Sequence, residues 1–124
     1  MTLQYPRAVR VRGYPYVIDY VNKPREVDCD LAISDLLGQC CPGNPGRIRI
    51  LMTQCSIGIL DSTIHEILHV IFNKNAVLMA AIRPEIGNEA FISALGVELA
   101  NLLVDNEWVQ LPETVKPTDT RINE

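Results

Sequence analysis

The hydrophobic pattern of this chain changes period once, between residues 52 and 62, and that change sets the order of its elements. Before it, RAVRVR (7–12) alternates polar and apolar residues, and YVIDYV (16–21) and RIRILM (47–52) are rich in β-branched or aromatic residues. After it, TIHEILHVIF and EAFISALGVELANLLVD carry apolar residues at helical spacing. Strands followed by two helices predict an α+β domain, with a small, mostly antiparallel sheet packed against the helices.

Turn formers mark the boundaries. Gly13 and Pro15 separate the first two strands, and the PGNPG run at 42–46 joins a short strand near Leu37 to Cys40 with the strand at 47–52. That pair reads as a β-hairpin whose loop is too long for a tight two-residue turn. Asp61 or Ser62 is the expected cap of a helix over about 62–73, and Asn88 that of a helix over 89–105. Residues 22–35 read as a short helix or a loop. Residues 75–84 are apolar up to Pro84, and their pattern does not select among loop, helix and strand. The tail from Leu111 is polar and carries two prolines, so the expected organisation is one domain over 1–110 and a loosely ordered segment over 111–124. The 124 residues are enough to bury a core without staples.

The formal net charge of −4 argues against a general nucleic-acid binder, and Arg7, Arg10 and Arg12 read as a solvated strand face. No apolar run approaches the ~20 residues that cross a bilayer, and the N-terminal stretch lacks the apolar core of a signal peptide. The expectation is a cytoplasmic protein with neither a membrane nor a nucleic-acid partner; its oligomeric state is not written in the pattern. Cys29, Cys40, Cys41 and Cys55 form no C-x-x-C pair and are expected as thiols. Zinc shared by Cys40, Cys41 and Cys55 is disfavoured, because adjacent cysteines point awkwardly for one ion.

Both histidines fall in HEILH, residues 65–69. At a spacing of four, His65 and His69 share one helical face and can present two imidazoles to one zinc ion. Glu66 sits about 100° around the helix from His65, which keeps it off the metal but close enough to serve as a general base toward water. With no third histidine, the remaining ligand must come chiefly from a carboxylate or cysteine. The candidates are Glu85, Glu89 and Glu98. On the second helix Glu89 lies at the edge that carries Ser93, Gly96 and Ala100, and small residues let helices approach; Glu98 lies at the opposite edge, beside Phe91 and Leu102. This favours Glu89 without excluding Glu98.

The run DSTIHEILHVIF resembles the active-site helix of zincin metallopeptidases. Taken with the GQCCPGNPGRIRI hairpin before it and NEAFISALGVELANLLVDNEW after it, it resembles small metallopeptidase-like proteins of bacteriophages, similar to the ImmA/IrrE-type and SprT-type minimal zincins. The likeness spans roughly residues 14–109. It implies Zn2+ on His65, His69 and Glu89, with Glu66 as the catalytic base. It further implies a peptide or protein substrate and, for a phage-encoded chain, the cytoplasm of a bacterial host. Tyr14, Tyr16 and Tyr20 are candidate oxyanion donors, and the edge of the RIRILM strand is a candidate surface for an extended substrate. The alternative is a non-catalytic zinc module in a phage or host interaction, with Cys55 closing a four-ligand site.

Overall fold

The computed structural model describes residues 5–23, 37–41, 43 and 45–109. Among these, four strands, β1 (Ala8–Val11), β2 (Tyr14–Val21), β3 (Gly38–Cys41) and β4 (Gly46–Leu51), precede three helices, α1 (Ser56–Asn73), α2 (Ala76–Ala81) and α3 (Asn88–Asp105). The architecture is α+β, as the change of period predicts. The expected loop or helix at 22–35 falls mostly, and the tail from Leu111 wholly, outside the described residues.

β1 and β2 form a hairpin, Val11 opposite Tyr14, closed by Arg12 and Gly13. Both turn residues have positive φ (52° and 85°), the conformation that a two-residue turn needs to match strand twist, and glycine adopts it freely. Pro15 lies inside β2 rather than before it. The pairing of β2 with β4 begins only at Tyr16, so the missing N–H of Pro15 breaks no bond on that side.

The sheet order is β1-β2-β4-β3. β3 and β4 form the expected antiparallel hairpin, but the central pair, β2 and β4, is parallel. The sheet is therefore mixed. β4 is interior, so the RIRILM strand has no free edge for a substrate; among the described residues the edge strands are β1 and β3.

Alternation sends Tyr16, Ile18 and Tyr20 of β2 and Ile48 and Ile50 of β4 into one core with Ile59, Leu60 and Val70 of α1 and Ala100 of α3. On the opposite face, the buried Asp19 ion-pairs with Arg47. Leu68 and Phe72 of α1 meet Ile92 of α3 in a second cluster. Burying side chains of this size stabilises by roughly 1.5–3 kcal/mol each, which clamps the two long helices together.

α1 begins six residues earlier than expected. Its N-cap, Cys55, makes no side-chain capping bond, and Asp61 and Ser62 are interior. Ser62 Oγ donates instead to Gln54 Oε1 (3.0 Å), and the next residue, Thr63, donates from Oγ1 to the Ile59 carbonyl (2.8 Å). At the far end, Arg12 Nη1 donates to the Lys74 carbonyl (3.1 Å), and Lys74 Nζ lies 3.9 Å from the Tyr14 ring centroid. These contacts tie the end of α1 to the β1–β2 hairpin, with a cation at the negative end of the helix dipole.

α2 settles the undecided segment. Asn75 caps it by accepting from the Leu78 N–H at 3.0 Å. Asn88 does not cap α3: that place is taken by Gly87 at φ 84°, and the Asn88 Oδ1 is buried without a hydrogen bond. Cys40 and Cys55 are thiols, whereas Cys41 is disulfide-bonded, against the expectation of thiols throughout. Strand alternation also puts Cys40 and Cys41 on opposite faces of β3, so they cannot share an ion.

Candidate metal centre

His65 and His69 project from the same face of α1 with their Nε2 atoms 3.0 Å apart. The Glu89 carboxylate, in the first turn of α3, bridges them: Oε1 is 2.8 Å from His65 Nε2 and Oε2 is 2.8 Å from His69 Nε2. The ligand atoms of these three residues all lie within 4.8 Å of one another, so the group could hold a metal ion. Ligands on a tetrahedral zinc ion at ~2.0–2.1 Å stand about 3.3 Å apart; the three groups here sit at hydrogen-bond distance, 2.8–3.0 Å, and need separate only slightly to receive one cation. The histidine side chains are mostly buried, while Glu89 is 72% exposed, which leaves one side of the group open.

Gly96 is what brings Glu89 there. A Cβ at this position would lie 3.8 Å from both the Cα and the N of His65, so α3 crosses α1 at close range beside the histidine pair. Ile92 and Ala100, on either side of Gly96, are buried in the same interface. The small-residue edge of α3 is therefore the one that faces α1. Glu98 is exposed, and Glu85 is exposed and pairs with Arg83 at 2.8 Å. Among the described residues neither joins the group. Cys55 starts α1 ten residues before His65, about 15 Å along the axis, and does not join it either.

Glu66 has a different setting. It is buried, with Oε2 3.9 Å from His65 Nε2. β3 supplies its surroundings. A Cβ on Gly38 would come within 3.1 Å of Glu66 Cγ, and Cys40, through its thiol and its backbone, favours the ionised carboxylate. Burial first, and the charge of Glu89 second, push the Glu66 carboxyl up to about 7. Cys40 is pushed up to about 11 by burial and by the adjacent Glu66.

A cleft of about 310 Å3 opens beside these groups, lined by His65, Glu66 and Glu89 and walled by Asp61, Ser93 and Val97 among others. None of the three tyrosines reaches it. Tyr20 is fully buried and donates to the Pro6 carbonyl at 2.7 Å. Tyr16 packs over Gly46, and Tyr14 is exposed beneath Lys74. Hydroxyls on the cleft wall belong to Ser62 and Ser93. Ser93 could have been found from its place one turn beyond Glu89. Nothing in the local sequence marks Gly38 or Cys40 as neighbours of Glu66, because their approach depends on β3 pairing at the sheet edge.

Comparison with protein-family models, with curated proteins and with solved structures yields no match. Among the described residues, no helix is long and apolar enough to cross a membrane.

Proposed function

We propose that this chain is a zincin-like, zinc-dependent metallopeptidase in which His65, His69 and Glu89 hold the ion and Glu66 is the general base. The observation that carries the reading is the division of labour between two glutamates. Glu89 bridges both imidazoles from the open side, while Glu66 stands 3.9 Å from His65 Nε2, buried and held against β3. A zinc ion in such a site supplies Lewis acidity, polarising a carbonyl and acidifying water. Glu66 then accepts the proton of the attacking water and returns it to the departing amine. A carboxyl poised near neutrality is matched to both halves of that transfer. Ser93 offers a hydroxyl donor on the cleft wall in place of the tyrosines, and the edge of β3, beside Glu66, replaces β4 as the strand open to an extended peptide.

The open side of the group also bears on the non-catalytic reading. A closed structural site needs a fourth protein ligand, and the described residues offer three. The test is metal content and peptide hydrolysis of the wild type and Glu66→Gln. One zinc per chain in both, with hydrolysis confined to the wild type, is the expected result. Metal-free wild type, or equal cleavage by both proteins, rules the reading out.

A further inference from the structure

The cleft holds a charged group that the hydrolytic chemistry leaves unused. Asp61 lies one turn before His65 on the same face of α1 and lines the cleft. It stands against α3, its Oδ1 3.3 Å from where a Cβ on Gly96 would be. Among the described residues, its carboxylate makes no hydrogen bond or ion pair. Burial raises its pKa, and the nearby His65 opposes that by favouring the ionised form. The cleft's other titratable groups are His65, Glu66 and Glu89, and no lysine or arginine lines it. Leu37 and Val97 add apolar wall. A volume of about 310 Å3 is at the small end for ligand pockets and suits one long side chain.

We propose that Asp61 forms a substrate subsite for a cationic group of a peptide, either a lysine or arginine side chain or a terminal ammonium. This rests on the peptidase reading of the adjacent centre. The aliphatic stem of a basic side chain lies along Leu37 and Val97, and its head makes a charge-assisted hydrogen bond to Asp61. An acidic side chain is repelled by Asp61, so the glutamate peptide is expected to bind weakest.

The experiment measures peptide binding to the zinc-loaded full chain carrying Glu66→Gln, by calorimetry. The probes are end-blocked pentapeptides identical except for a central lysine, acetyllysine, norleucine or glutamate, plus the norleucine peptide with a free amino terminus. The lysine peptide or the free-amine peptide is expected to bind roughly tenfold tighter than its neutral counterpart, and which of the two gains identifies the source of the cation. Adding Asp61→Asn, a nearly isosteric change, is expected to reduce that preference to within about twofold. The proposal is overturned if neither cationic peptide is preferred, or if Asp61→Asn leaves the preference intact, including the case in which it lowers zinc affinity instead. Should the Asp61→Asn protein fail to fold, lysine against acetyllysine on the parent protein still decides. Hydrolysis by the wild type is scored separately. A preference that depends on Asp61 without hydrolysis keeps the subsite and removes the peptidase reading, and hydrolysis without the preference does the reverse.

Discussion

Gly38 of β3 lies directly against Glu66 of α1: a Cβ at position 38 would sit 3.1 Å from Glu66 Cγ, 3.2 Å from Glu66 Oε2 and 3.2 Å from Ile50 Cδ1. Two of these atoms belong to the carboxylate side chain that the proposed chemistry depends on, and the third belongs to a fully buried isoleucine that cannot retreat. Gly38→Val should therefore turn Glu66 away from the histidines while leaving the three-ligand group in place. The expected outcome is a fall in kcat/KM of about two orders of magnitude, the scale of a lost general base, with unchanged zinc stoichiometry. Metal analysis beside the kinetics checks it; loss of the metal together with the activity would mean that β3 supports the whole centre rather than the base.

The three ligands make a separable prediction. His65→Ala, His69→Ala and Glu89→Ala should each weaken zinc binding by more than the ~10–100-fold that outer-shell substitutions cost. Glu85→Gln and Glu98→Gln should leave it unchanged, since Glu85 pairs with Arg83 and both side chains face solvent. Competition with a chromophoric chelator reads all five variants. A large effect from Glu98→Gln would displace Glu89 from the site.

Much of this site was legible in the sequence, and the legible parts are those that local periodicity decides. Two histidines four apart must share a helical face, and Ser93, Gly96 and Ala100 mark the edge of α3 that approaches closely. Misread features turn on tertiary pairing. Asp61 and Ser62 look like caps because their side chains suit that role, yet Ser62 hydrogen-bonds Gln54 and the helix runs on through both. The parallel pairing of β2 with β4 is a long-range choice that no two-residue period encodes. That pairing makes β4 interior, and β3, with Gly38 and Cys40, lies beside Glu66. The alternation of β2 offers its tyrosines as donors without telling which face is closed; α1 covers the face that carries Tyr16 and Tyr20.

Gly96 separates helix stability from helix approach. An alanine there gains up to ~1 kcal/mol of helix propensity, and its Cβ meets the Asp61 Oδ1 at 3.3 Å, the movable end of a side chain. Gly96→Ala should therefore be neutral to mildly stabilising in chemical denaturation. Gly96→Leu has no such escape, because the His65 backbone lies 3.8 Å from the same Cβ position. It should push α3 outward and carry Glu89 away from the imidazoles, so zinc affinity falls while the helical content measured by circular dichroism persists. Retained affinity in Gly96→Leu would show that Glu89 reaches the histidines without close helix packing.

The metal-free protein should grow less stable as pH rises toward neutrality, and Glu66 should account for it. Its carboxyl titrates at about 7 in the folded chain against an ordinary value of 4.5, with burial as the larger cause and Glu89 as the second. The folded state thus holds this proton more tightly than the unfolded state does. The stabilisation is fully present below pH 4.5 and is lost as pH rises to about 7, after which the slope vanishes. The whole span corresponds to a few kcal/mol, on the order of 3, at ~1.4 kcal/mol per pKa unit. Urea denaturation of the metal-free wild type and Glu66→Gln at several pH values isolates the effect, since the variant lacks the titrating group and should lose this share of the slope. Saturating zinc should also flatten the wild-type curve, because a cation beside Glu66 favours its ionised form and binding to the folded state alone adds about 2.7 kcal/mol at a hundred times Kd. Parallel curves for wild type and Glu66→Gln would show that the carboxylate is better solvated than its packing against Gly38 and Cys40 implies.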